Sequence, residues 1–236
     1  MTEATPEANA PKKENLFVNL IVNIVIPTLI LTKLSSDEYL GPTLSLIIAL
    51  AFPLGYGLWD YQQRRKWNLF SILGLISVLL TGGISLLQLD AKYIAIKEAA
   101  IPGILAVATI ISMYTPFPLV KSILLNESVL RLEKINQALA EHNNQAQFDK
   151  TLMNASYLVA LSFVVSSVLN YVLAKWIVVS EPGSVEYTQE LGKLTAWSYP
   201  VIVVPAMLIL IGAMFYLFRS ITKLTKLELE DILVQQ

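Results

Sequence analysis

The sequence predicts an all-α fold. It reads as a polytopic membrane helix bundle of six transmembrane helices arranged as three hairpins, with a cytoplasmic amphipathic helix between the fourth and fifth. Composition is the first reason: of 236 residues 55% are hydrophobic and 15% charged, against roughly 25% charged in an ordinary soluble domain. Mean hydropathy is +0.58. Segregation of charge is the second. Six runs contain no Asp, Glu, Lys or Arg: Asn15 to Thr32, Tyr39 to Trp59, Trp67 to Leu89, Ala99 to Val120, Thr151 to Ala174 and Leu194 to Phe218. Their lengths are 18, 21, 23, 22, 24 and 25 residues, and a helix needs about 20 to cross roughly 30 Å of hydrocarbon. Backbone amides have no water to bond in lipid, so only helices or closed barrels span it. Runs this continuous exclude barrel strands, which alternate. The absence of cysteine excludes a disulfide-stapled fold.

Residues 1–14 form a polar cytoplasmic tail with no early apolar core, so no signal peptide is read there. Residues 15–120 hold transmembrane helices 1–4, 121–150 the amphipathic segment, 151–218 helices 5–6, and 219–236 a cytoplasmic tail. The odd spans carry small or polar residues one helical turn apart: Asn15, Asn19 and Asn23; Ser77, Thr81 and Ser85; Ser162, Ser166 and Asn170. Each triplet occupies one helix face. The even spans carry prolines instead: Pro42 and Pro53; Pro102, Pro116 and Pro118; Pro200 and Pro205. Each external turn sets an acid at or near a tyrosine, as in Glu38-Tyr39, Asp90 with Tyr93, and Glu186-Tyr187. Three hairpins of common design follow. The stripes read either as packing seams, where small residues let helices approach, or as the lining of a polar cavity. Pro27 continues the asparagine stripe and frees a carbonyl there, and Gly82-Gly83 reads as a point of close helix approach.

Orientation follows from the basic residues. Twelve Lys and Arg fall on the side of both termini, among them Arg64, Arg65, Lys66, Lys121 and Arg219, against five on the other side. Both termini are therefore expected in the cytoplasm. Trp59 and Trp67 bracket one turn, and Trp176 and Trp197 the last external loop, as interfacial anchors do. Between Lys121 and Lys150, Leu125, Val129, Leu132, Ile135 and Leu139 share one helical face, with Glu127, Arg131, Glu133, Lys134 and Glu141 largely elsewhere. This helix either continues span four and packs on the bundle or lies at the interface, or else docks a partner. His142, the single histidine, has no ligand set beside it.

Lys97 and Glu98 precede span four by only three residues. Adjacent helical residues diverge by about 100°, so these two are expected to find partners on other spans, with Lys175, Glu190 and Lys193 at matching depth. Lys97, Glu98, Glu190 and Lys193 are read as a mixed-charge cluster joining hairpins two and three. Asn19, Asn23 and Asn170 complete the candidate functional positions. Asn19 and Asn23 are expected to face the bundle interior and bond the stripes of span three or five. No phosphate-binding loop, HExxH, GxSxG or cysteine nucleophile is present, so no catalytic, metal or cofactor site is expected.

The stretch from Gly82-Gly83-Ile84-Ser85 through Asp90 to Tyr93-Ile94-Ala95-Ile96-Lys97 resembles a hairpin of the intracellular septation protein A family. There a Gly- and Thr-containing helix end leads through an Asp to aromatic-Ile-x-x-Lys. Three further patterns are Lys97-Glu98-Ala-Ala-Ile-Pro102 with Asn170, then Glu190-Leu-Gly-Lys193-Leu-Thr195, then Ser198-Tyr199-Pro200. Together they look like an uncharacterised family of bacterial inner-membrane proteins distantly similar to it, over about Asn15 to Ile232. The 121–150 segment and the last hairpin depart from the septation pattern. The resemblance implies a multi-pass protein of the bacterial inner membrane with a non-enzymatic role in cell-envelope or membrane homeostasis. Proline-interrupted spans support an alternative, a small secondary transporter or channel, and a lipid-acting intramembrane enzyme is a third reading. The expected partner is the lipid bilayer, with a membrane protein or a second copy of the chain left open, and no nucleic acid.

Overall fold

The computed structural model describes residues 16–64, 69–115, 118–125 and 130–234. Asn15 and the tail before it, Arg65, Lys66 and Trp67, Pro116, Glu127, Val129 and Gln236 lie outside the described residues. Helix α1 (Leu16–Leu20) runs through a π-helical turn (Ile21–Val25) into α2 (Ile26–Lys33). Then come α3 (Gly41–Arg64), α4 (Leu69–Leu86), α5 (Lys92–Ser112), α6 (Leu119–Leu124), α7 (Leu132–Glu141) and α8 (Gln145–Ile177). Helix α9 (Val185–Ser198) passes through a second π-turn (Tyr199–Val203) into α10 (Val204–Thr225), and α11 (Leu229–Ile232) ends the described chain. Among the described residues the only extended pairing is an isolated bridge between Leu130 and Leu233.

Among the described residues four helices are long and apolar enough to cross a membrane: Gly41–Gln62, Lys92–Ser112, Gln145–Ile177 and the continuous Val185–Thr225. Phe17–Lys33 and Ile72–Leu86 are apolar but shorter. No more than 28% of any spanning window is buried within the chain. Residues such as Leu44, Ile104, Val168 and Leu208 therefore face outward, an apolar surface that hydrocarbon covers and water does not. This is the architecture of a helical membrane protein.

Both π-turns have the same cause. Pro27 and Pro205 each stand two residues beyond the turn, after Ile24-Val25-Ile26 and Ile202-Val203-Val204. Proline has no N–H, and its ring crowds the carbonyl four residues back. Widening the turn moves that carbonyl aside. The Ile26 N–H accordingly donates to the Ile21 carbonyl and the Val204 N–H to that of Tyr199. Pro53 and Pro102 sit inside α3 and α5 with no such turn.

The chain divides into two compact units, Met1–Ile94 with Ile177–Ala196, and Ala95–Trp176 with Trp197–Gln236. These boundaries cut through the second and third predicted hairpins. In the first unit α3 packs against both α2 and α4. A Cβ on Gly82 would lie 3.0 Å from Leu50 Cδ1, so this glycine does mark a close approach of α4 to α3. The turn between α2 and α3 is closed by Ser45 Oγ, which donates to the Leu34 carbonyl at 2.9 Å, and by Gly41 in the left-handed region at φ 70°.

The second unit is built on Leu130, Ile135, Leu139, Phe148, Leu152, Leu217, Ile221 and Ile232, all buried in one cluster. The predicted amphipathic face is carried in part by α7, as Leu132, Ile135 and Leu139, whereas Leu125 stands just after α6. The α7 face is covered by α8, α10 and α11, not laid against a membrane surface, and its helix is separate from α5. The segment expected over 121–150 resolves into α6, α7 and the first turn of α8, and α8 begins at Gln145, before the predicted start of span five. The predicted tail is also structured over its described residues, 219–234. Arg131 N–H donates to the Ile232 carbonyl at 2.9 Å, Lys134 Nζ meets Asp231 Oδ1 at 2.6 Å, and Asn144 Nδ2 caps α10 at the Leu224 carbonyl at 2.7 Å. The hydrogen bond from Lys134 holds the Asp231 carboxyl below the usual carboxylate range. A depressed value marks a carboxylate favoured in the folded chain, so this clasp is intact at neutral pH and is lost as the pH falls through the lowered value.

Candidate functional site

In the first unit the loop after α8 meets the start of α9, and the chemistry there is set by Glu190. Its Oε2 accepts the N–H groups of Val179 and Ser180, both at 2.9 Å, and its Oε1 accepts Ser180 Oγ at 2.7 Å. These backbone N–H groups lie just beyond the end of α8, outside its ladder of hydrogen bonds. A carboxylate one helix later satisfies both and closes the loop. Glu190 is therefore a structural tie, a role that its acidic character alone did not reveal. Lys193, one turn on, is exposed.

Around this tie the fold brings together residues that the sequence placed in separate turns and stripes. Tyr187 is 1% exposed, and its hydroxyl lies 3.1 Å from Ser85 Oγ at the end of α4. Tyr39 and Tyr93, its predicted counterparts in the other external turns, are exposed, so the three turns are not equivalent. Asp90 instead receives the Lys92 N–H at 2.8 Å and its ammonium at 3.3 Å. The amide first and then the ammonium hold its carboxyl below the usual range. Gly192 lies against α2: a Cβ there would stand 2.7 Å from Thr32 Cγ2, 2.9 Å from Leu31 Cβ and 3.3 Å from the Thr28 carbonyl. The glycine was visible between Glu190 and Lys193, but nothing in the local sequence shows which helix it touches.

The asparagine ladder corrects an expectation. Asn23 Nδ2 donates to Asn19 Oδ1 of its own helix at 3.1 Å, where a bond to another span was expected. Residues four apart on a helix are neighbours, so the nearer amide wins. Apart from Ser85, which meets Tyr187 of α9, members of the other stripes also bond within their own helices. Thr81 donates to the Ser77 carbonyl at 3.0 Å, Ser162 to that of Val159 at 2.7 Å, and Asn170 to that of Ser166 at 2.8 Å.

Lys97 and Glu98, in the second unit, supply the other correction. Lys97 Nζ and Glu98 Oε1 lie 2.6 Å apart, with the lysine side chain 5% exposed. Their Cβ atoms diverge, but the lysine stem of four methylenes is long enough to fold its ammonium round the helix to its neighbour. Beyond the pair, Ser167 Oγ donates to the Ala99 carbonyl at 2.8 Å, and Gly103 faces the same serine, so α5 and α8 are in close contact.

One expected result follows from the Glu190 geometry. Charge-assisted hydrogen bonds each contribute about 1.5 to 3 kcal/mol net, less where water competes. Glu190→Ala should lower stability in detergent by about 2 kcal/mol, Glu190→Gln by less, and Lys193→Ala hardly at all, read by thermal unfolding. Equal stability of all three would remove the tie. In comparisons with known proteins, no family model, curated protein or solved structure matches the chain.

Proposed function

We propose that this chain is a multi-pass bacterial inner-membrane protein of six spans in three hairpins, with both termini in the cytoplasm and a non-enzymatic role in cell-envelope or membrane homeostasis. One observation carries the reading: the polar groups at Asn23, Thr81, Ser162 and Asn170 hydrogen-bond within their own helices. Groups so engaged are ready to pack as seams and offer few free donors to a solute. The charge asymmetry and the resemblance to septation protein A support the placement. Lys97, Glu98, Glu190 and Lys193 are proposed as structural charges that hold the external ends of the bundle.

A small transporter or channel is the second reading, favoured by the two proline-linked π-turns, since interrupted helices mark many transport sites. A deletion strain tests the pair. The first reading expects altered permeability to detergents and dyes, restored by the wild-type gene, and no gradient-driven uptake in proteoliposomes. Unaltered permeability together with ion-coupled uptake would replace it by the second. Reporter fusions at Glu186 and at the C terminus should report opposite sides of the membrane.

A further inference from the structure

A cavity of about 230 Å³ opens in the second unit where α5 gives way to α6 and α8 enters its apolar stretch. Lys121 and Asp149 line it with Met113, Leu152, Met153 and Ser156. None of these residues is among the candidate functional positions named from the sequence, and the cavity requires only that α5 and α8 cross the bilayer, not the role just proposed.

Its depth is set by the charge pattern. One uncharged run ends immediately before Lys121, and the next begins two residues after Asp149. Both groups therefore stand where hydrocarbon gives way to water. Nearby on the surface, the hydroxyls of Tyr114 and Tyr157 lie 3.4 Å apart, and Asn154 donates to Tyr216 Oη at 3.2 Å. Tyrosines collect at the headgroup level of a membrane, so the same boundary is marked twice.

The two charges do not neutralise each other. Asp149 accepts a hydrogen bond from Gln145 at 3.4 Å, and among the described residues no ion pair engages it or Lys121. A simple anion entering here would be repelled by Asp149, and a simple cation by Lys121. A molecule with both charges a few bonds apart satisfies both walls. Methionine and leucine adapt to the carbon atoms between and beyond the charges. At roughly 30 Å³ per water molecule the space equals about eight waters, enough for a phosphate with a short amine and too little for an acyl chain. We propose that this cavity binds a phosphoethanolamine zwitterion, its phosphate at Lys121 and its ammonium at Asp149. The group is carried either by a phosphatidylethanolamine headgroup of the adjoining leaflet or by the free small molecule.

The full chain in a neutral detergent, mixed with equal amounts of phosphatidylethanolamine and phosphatidylglycerol, tests this by native mass spectrometry. The wild type should retain phosphatidylethanolamine preferentially. Asp149→Asn should lower the ethanolamine-to-glycerol ratio about tenfold, as expected when one charge-assisted bond is lost. Lys121→Gln should weaken retention of both lipids, and Lys150→Gln, just outside the cavity, should change neither. Free O-phosphoethanolamine is added separately to lipid-depleted protein. Stabilisation of the wild type but not of Asp149→Asn identifies the soluble source, and lipid retention without it identifies the headgroup. A ratio unchanged by Asp149→Asn, with no stabilisation by the free zwitterion, overturns the proposal.

Discussion

Tyr187→Ala is expected to lower the stability of the chain by about 3 to 5 kcal/mol, the range for deleting a fully buried aromatic side chain. The ring is 1% exposed, and its loss leaves both a void and an unpaired Ser85 hydroxyl, 3.1 Å from where Tyr187 Oη stood. Tyr187→Phe separates the two effects: it keeps the ring and removes the bond, for about 1 kcal/mol. Ser85→Ala should cost a similar amount, and the double variant Tyr187→Phe with Ser85→Ala no more than either alone, because one bond is lost in all three. Chemical unfolding in mixed micelles, followed by tryptophan fluorescence, measures each step. Additive losses would mean that the two hydroxyls do not interact.

Gly192→Ala should cost about 2 to 3 kcal/mol, and Gly192→Leu should keep α9 from seating on α2 at all. Two effects oppose here. Alanine favours a helix over glycine by roughly 0.5 to 1 kcal/mol. Against that, the new methyl would meet Leu31 Cβ at 2.9 Å, and a Cβ, unlike the tip of a long side chain, moves only with its backbone. The steric effect is the larger. Gly74→Ala isolates the smaller one, since nothing lies within 4 Å of a Cβ there, and it should be neutral or mildly stabilising. If the two alanine variants unfold at the same temperature, the close contact is not as described.

How much of this was legible beforehand depends on the range of the interaction. Each of the four long apolar helices among the described residues contains a charge-free run, because the length of a span and the exclusion of charge from hydrocarbon are properties of a local window, while the other two runs fall on shorter helices. The amphipathic face of Ile135 and Leu139 was legible for the same reason. Its cover was not, since Leu217, Ile221 and Ile232 come from a distant part of the chain. Pro27 announced a freed carbonyl, whereas the π-turn that accommodates it depends on how the whole helix relaxes. The candidate charges fared worst. Glu190 was assigned to a cluster on the strength of its position, and its actual donors are the amides of a loop that no pattern predicts. Lys97 and Glu98 were separated by helical geometry that governs Cβ atoms, not the ends of long side chains.

The clasp of α11 over α7 sets an order of events in time. Leu139 leaves the ribosome ahead of Leu217, Ile221 and Ile232, the residues that bury it, by about 80 residues or more, which at roughly 5 to 20 residues per second is about 4 to 16 seconds. Over that interval α7 has Phe148, Leu152 and Ala155 of α8 to pack on, and the rest of its apolar stripe stays open to the bilayer surface or a chaperone. The second unit can therefore close only near the end of synthesis, so a nascent chain released before residue 217 would expose this helix.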